Sequence, residues 1–282
     1  MQKNQLIFIG AAIVLLAALY FVGNFKGSKV SKQTDRQEMN AGDSHQHEAD
    51  TSALDFVAYE KKVTEKLSPA LQERAKSLTQ TALESQKPEG YRDIAEFWEA
   101  QNDLNIAAFY YKKGAFLENT EKSVTFAGNL FLALLQKTEK PDIRRWQAQE
   151  AIQIFSKALE INPSNLDSKI ALATCYTEGT GETMKGVTLL REVTKQDSNN
   201  VSANIVLGKL AIQSGQLDKA IKRLEHVLTI EKDNTEAMYF LAEAYKNQGN
   251  KQKAIELFEK CKSIVNNPDF SKEIDQYLST FK

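Results

Sequence analysis

His45 and His47 flank Gln46, and an imidazole pair at that spacing could give two nitrogens to a divalent metal. Two nitrogens are half of a tetrahedral set, and no cysteine or third histidine stands near them, so a solvated linker is the better reading. Cys175 and Cys261 are the only thiols. The repeat described below puts one on a first helix and the other on a second helix two repeats later, so both are expected as small buried residues, neither disulfide-bonded nor metal-bound. Glu178-Gly179-Thr180-Gly181-Glu182 sets two glycines close together, as a phosphate-cradling loop would. The spacing to Gly186 is wrong for a dinucleotide fingerprint, no Gly-Lys-Ser/Thr follows, and a helix precedes where a strand is needed. No nucleophile–base pair and no paired carboxylates in an expected cleft occur. The chain is therefore expected to be no enzyme and to hold no cofactor and no metal.

The elements that carry these residues follow a fixed period. One span reads Leu207-Gly208-x-x-Ala211, then Gly215, Ala220 and Leu224; the next reads Leu241-Ala242-x-x-Tyr245, then Gly249, Ala254 and Phe258. The offsets 241−207, 249−215 and 254−220 are all 34. A period of about 34 with small residues at two offsets marks stacked helical hairpins. Leu207, Leu210 and Ala211 share one helix face, and Ile221, Leu224 and Leu228 share another. Gly208 and Ala220 are small where two helices cross closely, and Ser214-Gly215-Gln216 is turn chemistry.

This pattern resembles the tetratricopeptide repeat, two antiparallel helices per unit, with Leu241, Ala242, Tyr245, Ala254 and Phe258 at the family's positions, Cys261 at the later small position and Asn266 where proline is usual. The resemblance runs from Tyr91 to Lys282 and implies an all-α helical-hairpin solenoid of about five repeats with a C-terminal capping helix. The first repeat has Tyr91, Ile94, Ala95 and Trp98, then Ala107, Tyr111 and Gly114; the second has Phe126, Ala127, Leu130, Phe131 and Leu134, then Ala151, Phe155 and Ala158. The step from Ala107 to Ala151 is 44, and the excess falls in 138–145, which is expected to be a lengthened loop. Loops carry function more often than core does, so Asp142-Ile143-Arg144-Arg145-Trp146 is a candidate contact. The third repeat has Leu172, Ala173 and Tyr176, then Gly186, Leu190 and Val193, with its turn at 178–182.

Composition agrees with an all-α chain: 282 residues, 42% hydrophobic, with only 13 glycines and 5 prolines. A formal net charge of −1 lacks the basic field that nucleic-acid binding needs. Leu6 to Gly23 carries eighteen residues without a charge, about 27 Å as a helix, and no small-x-small cleavage site follows. A retained single-pass membrane anchor over 1–25 is expected, then a polar linker over 26–51. Lys26, Lys29, Lys32 and Arg36 after the span favour a cytoplasmic array by the positive-inside count, whereas similar anchored repeat proteins of bacterial envelopes often carry theirs outside; the side stays open. Residues 52–87 form two amphipathic helices, with Leu54, Val57 and Val63 on one and Leu71, Ala75, Leu78 and Ala82 on the other, joined at Ser68-Pro69 as N-cap and first turn. This pair is expected to cap the array, which occupies 88–268 and ends in the capping helix 269–282 with Phe270, Ile274, Tyr277, Leu278 and Phe281.

The resemblance implies that first helices line a concave groove. The lining positions fall at Arg92, Glu96 and Glu99; Ile170, Thr174 and Thr177; Ile205, Lys209 and Ile212; and Tyr239, Glu243 and Lys246. Glu96 stands where a chaperone-tail clamp needs Asn, so that specialisation is rejected. The isoleucines and Tyr239, with Lys209 and Lys246, suggest an extended or helical peptide held by apolar contacts with modest charge selection. Two functions compete: a membrane-anchored adaptor that binds protein partners in cell-envelope assembly, and a homo-oligomeric spacer without a dedicated ligand.

Overall fold

The structure is a computed structural model that describes residues 54–280. The expected span Leu6–Gly23, the linker with His45 and His47, and Phe281 lie outside the described residues. Among the described residues no helix is long and apolar enough to cross a membrane.

The described chain holds thirteen α-helices and one π-helical turn, with no strand. Two helices come first, α1 (Phe56–Thr64) and α2 (Pro69–Ser85). Five hairpins follow: α3 (Pro88–Ala100) with α4 (Leu104–Glu118), α5 (Glu121–Lys137) with α6 (Pro141–Ile161), α7 (Leu166–Thr174) with α8 (Thr183–Gln196), α9 (Val201–Gln213) with α10 (Leu217–Ile230), and α11 (Thr235–Gln248) with α12 (Lys251–Val265). The π turn Cys175–Thr180 continues α7, and α13 (Pro268–Ser279) closes the array.

Local chemistry sets the helix starts. Asn165, Asn200 and Asn234 each accept a hydrogen bond from the backbone N–H three residues on, at 2.7, 3.0 and 2.8 Å, which satisfies one orphan donor of α7, α9 and α11. Proline opens α2, α3, α6 and α13, where its missing N–H costs nothing. Within three hairpins a left-handed residue makes the turn: Asn102 (φ 61°), Gly215 (φ 72°) and Gly249 (φ 90°). Each lies seven residues after the small residue of its first helix (102−95, 215−208, 249−242). Gly208 is that small residue in α9, because a Cβ there would lie 2.9 Å from Leu224 Cγ.

The third repeat is one residue longer. Its turn residue Gly181 (φ 77°) comes eight after Ala173 (181−173), and the extra residue is taken up by the wider π turn. The expected turn at 178–182 is therefore corrected: the helix runs on to Thr180, and only Gly181 and Glu182 connect it to α8. Gly179 serves close packing instead, since a Cβ on it would stand 2.2 Å from Ala148 Cβ.

The expected loop over 138–145 is also corrected. α5 runs to Lys137 and α6 starts at Pro141, so the additional residues lengthen both helices and only three residues connect them. The small residue of this first helix is Gly128, pressed against Phe155 as Gly208 is against Leu224. The added turns of α6 are held on their inner face. Trp146 is buried and meets the Phe131 ring edge-on at 5.4 Å. Gln147 Nε2 donates to Asn105 Oδ1 (2.7 Å) and Thr138 Oγ1 (2.9 Å). Arg144 donates to the carbonyl oxygens of Leu135 (2.9 Å) and Glu178 (3.0 Å). The helix propagates because its new face finds partners; tertiary packing, more than propensity, stabilises it.

At the N-terminal end α2 packs on α3 so closely that a Cβ on Gly90 would lie 2.9 Å from Ala82 Cα. Ser68 precedes α2, but its hydroxyl makes no capping bond. α1 behaves differently from the expectation. Val57 is 75% exposed, and Phe56 carries the contact instead, stacked on Phe109 at 3.7 Å and on Trp146 at 5.6 Å. α1 therefore lies against the second helices α4 and α6 and also packs on the core that α2 and α3 share with α4. Cys175 and Cys261 are buried and reduced, and burial pushes each thiol up to about 12.

Candidate protein-binding face

The first helices α5, α7, α9 and α11 touch in succession and form one face of the array. The positions expected to line that face divide into three kinds. Ile170, Ile205 and Tyr239 are buried at 8%, 4% and 6% exposure, and Thr174 is buried with its hydroxyl donating to the Ile170 carbonyl at 3.0 Å. Thr177 and Ile212 are half-buried, with the Thr177 methyl against Gly186. Lys209, Glu243 and Lys246 are polar and engaged by neighbouring units.

Those engagements form a ladder across repeats. Lys209 Nζ lies 3.0 Å from Glu178 Oε1, one repeat earlier, and 5.2 Å from the centre of the Phe240 ring, one repeat later. Glu236 stands in the same field: burial pushes its carboxyl up, Lys209 opposes that, and Glu178 adds to it. Further along, the Tyr277 hydroxyl donates to Glu243 Oε1 at 2.5 Å, and Lys246 bonds to the same hydroxyl while lying 4.2 Å from the Tyr277 ring centre. Burial and the Glu243 carboxylate push the Tyr277 hydroxyl well above the ordinary phenol range. Tyr239 packs edge-on against Phe258 at 5.4 Å, and burial raises its hydroxyl as well. The structure thus brings Tyr239, Glu243 and Lys246 together with Tyr277 at one end of the face, and sets Lys209 between Glu178 and Phe240.

Between α3 and α5 the face opens. α4 forms the floor, and Tyr111 divides the opening into two hollows. One, of about 380 Å³, is lined by Arg92, Glu96, Lys122, Ser123 and Phe126. The other, of about 190 Å³, is lined by Glu99, Leu104, Leu130, Ala133 and Lys137. Phe126 is 52% exposed and Leu104 48% exposed, so both present apolar surface. The Tyr111 ring meets Phe126 edge-on at 5.5 Å, and its hydroxyl donates to Glu99 Oε2 at 3.0 Å. Burial first, then the bond to Glu99, raises the Tyr111 hydroxyl to about 12, so it stays a donor near neutrality.

Phe126 falls among core residues when Phe131, and not Gly128, guides the register of this helix. Aligning the Gly128–Phe155 pair with Gly208–Leu224 puts Phe126 two residues before the small position and away from the core. Arg92, Glu96 and Glu99 are legible in the sequence as lining positions.

Within the Asp142–Trp146 stretch Trp146 is buried and Arg144 is engaged by backbone carbonyls, while Asp142 and Arg145 are exposed.

The tetratricopeptide-repeat family profile matches residues 211–269. A thermophilic tetratricopeptide-repeat protein of Thermus thermophilus is 15% identical, with a TM-score of 0.52 over 68% of this chain and 98% of that one, and shares the fold. The crystal structure of YrrB, described as a TPR protein with an unusual peptide-binding site, is 21% identical over 72% of this chain and 99% of that one, with a TM-score of 0.44. A MamA structure from Desulfovibrio magneticus RS-1 is 18% identical over 64% and 97%, with a TM-score of 0.48. No curated protein matches the sequence. With the 34-residue period and the hairpins closed by paired small residues, residues 211–269 carry the tetratricopeptide-repeat profile and the described helices share that fold.

Proposed function

We propose that this protein is a membrane-anchored scaffold that binds an extended segment of a partner protein along the face of its first helices, in the assembly of cell-envelope proteins. The observation that carries the reading is the opening between α3 and α5, where Phe126 and Leu104 expose apolar surface beside the Tyr111–Glu99 hydrogen bond. Apolar side chains of the partner seat in the two hollows. The half-exposed edge formed by Thr177, Lys209, Ile212, Glu243 and Lys246 sets charge selection further along. Ile170, Thr174, Ile205 and Tyr239 act from beneath as the packing that holds this edge in place. Anchoring rests on the uncharged length of Leu6–Gly23 and leaves the side of the membrane open.

The test is selection of random peptides on the full chain in detergent, followed by binding to variants. Phe126→Asp is expected to weaken the selected peptides at least tenfold, and Val57→Asp, on the far side of α1, to leave them unchanged. Equal binding to wild type and Phe126→Asp overturns the site. Extraction of membranes at alkaline pH tests the anchor: the full chain stays in the pellet and a chain lacking 1–25 is released.

A further inference from the structure

α1 differs from every other helix in how it is held. None of its nine residues is fully buried, and it is docked on α4 and α6 through a few side chains. Phe56 lies with its ring near-parallel to both Phe109 and Trp146, at interplanar angles of 25° and 17°. The Tyr59 hydroxyl donates to Asp103 Oδ2 at 2.9 Å, and the Tyr110 hydroxyl donates to Glu60 Oε1 at 2.7 Å. Phe56 touches both the core built around α3–α4 and the core built around α5–α6, so it spans the joint between the first two repeats. A helix of nine residues has no stability of its own in water, so α1 is formed when docked and unformed when released.

We propose that α1 is a reversible latch that undocks as a unit while the array stays folded, and so moves the point at which residues 1–53 join the array. Docked, the described chain begins against α4 and α6. Undocked, its first fixed point is Pro69, the start of α2. The fifteen residues 54–68 then add up to roughly 50 Å of reach at ~3.3–3.6 Å per residue. Release also bares the faces of Phe109 and Trp146 on which Phe56 was stacked. The latch rests on the described helices alone and does not depend on what the first-helix face binds.

The geometry of the clasp is that of a low-stability unit on a more stable body. It contributes no fully buried residue and is held through the half-buried Phe56, Tyr59, Glu60 and Val63, and local opening of such a unit lies below the free energy of global unfolding. α4 and α6, by contrast, are joined beneath it by the Lys112–Glu150 ion pair and by Gln147.

Hydrogen exchange on the full chain in detergent tests the latch. Amides of 56–64 are expected to exchange at least tenfold faster than those of α4 and α6. Phe56→Ala is expected to abolish protection over 56–64 and leave α9 to α12 unchanged. Tyr59→Phe, which keeps the ring and loses only the bond to Asp103, is expected to raise exchange at 56–64 by several fold with the array intact, and it keeps the test open if Phe56→Ala folds poorly. Val57→Ala, at an exposed position, is expected to change nothing. Exchange of α1 at the same rate as α4 and α6 in the wild type overturns the proposal. So does acceleration across the whole array in Tyr59→Phe, or unchanged protection of 56–64 in a folded Phe56→Ala.

Discussion

The hydroxyl of Tyr277 on the closing helix donates to the carboxylate of Glu243, and the two residues are one repeat apart (277−243 = 34). The closing helix therefore docks as the first helix of a sixth unit would. Its Tyr277 ring lies against Phe258 at 5.5 Å and under the Lys246 ammonium. Tyr277→Phe keeps the ring and loses the hydrogen bond, so a cost of about 1 kcal/mol is expected. Urea unfolding measures it, and faster proteolysis after Val265 locates it at α13.

Gly179 and Gly181 separate two kinds of glycine requirement. Gly179→Ala meets Ala148 Cβ at 2.2 Å and must push α6 away from the π turn, at a cost of about 1–3 kcal/mol. Gly181→Ala meets nothing within 4 Å and incurs only left-handed backbone strain, about 1 kcal/mol. Thermal unfolding of the two variants is expected to rank Gly179→Ala below Gly181→Ala. The reverse order would mean that α6 yields easily at Ala148.

Trp146→Ala removes the ring on which Phe56, Phe131 and the α6 extension converge. A loss of about 3–5 kcal/mol is expected for a buried aromatic truncated to alanine. Because Phe56 stacks on that ring, exchange over 56–64 is expected to accelerate more than exchange anywhere in α9 to α12. Hydrogen exchange resolves the two regions.

Acid is expected to tighten the α1 clasp. Burial raises the Glu60 carboxyl above its ordinary 4.5, opposed by the Tyr110 hydrogen bond and by Lys113. Tyr59, bonded to Asp103, is the other ionisable side chain that α1 brings to the clasp, and burial holds its hydroxyl up at about 12. A raised carboxyl means that the docked form binds its proton more tightly than the released form does. Docking is therefore strongest below the ordinary value and weakens as pH rises through the raised one. Exchange at 56–64, corrected for the intrinsic pH dependence, should slow as pH falls from neutrality through the raised value toward 4.5, and Glu60→Gln should remove that trend.

The array is legible in the sequence because its signal is repeated. Gly215 and Gly249, Ala220 and Ala254, and Leu224 and Phe258 fix the same hairpin twice; the glycines supply the left-handed turn, and the other two pairs are fully buried between the helices. The departures are illegible because each is a single event. One extra residue in the third repeat could have lengthened a loop; it went into a π turn because Arg144 and Ala148 from another repeat hold that turn. The additional residues before Ala151 contain Pro141, which reads equally as a loop residue or a helix start, and only the partners of Trp146 and Gln147 decide between them. α1 misleads for a related reason. Phe56 and Val57 are adjacent apolar residues on a short helix, and which of them is buried depends on aromatic rings about fifty and ninety residues away.

Because α6 runs for 21 residues, where the other second helices have 14 or 15, and holds α4, α5 and the π turn at once, the array is not a chain of equal links. A solenoid in which each unit touches only its neighbours frays from either end. Here the joints on either side of α6 are reinforced by its added length, whereas α9 to α13 meet through shorter second helices. Under load or denaturant the molecule should come apart from its C-terminal end, shedding α13 and then single hairpins, and then arrest at a block bounded by the π turn. A force trace would show small regular steps followed by one large one.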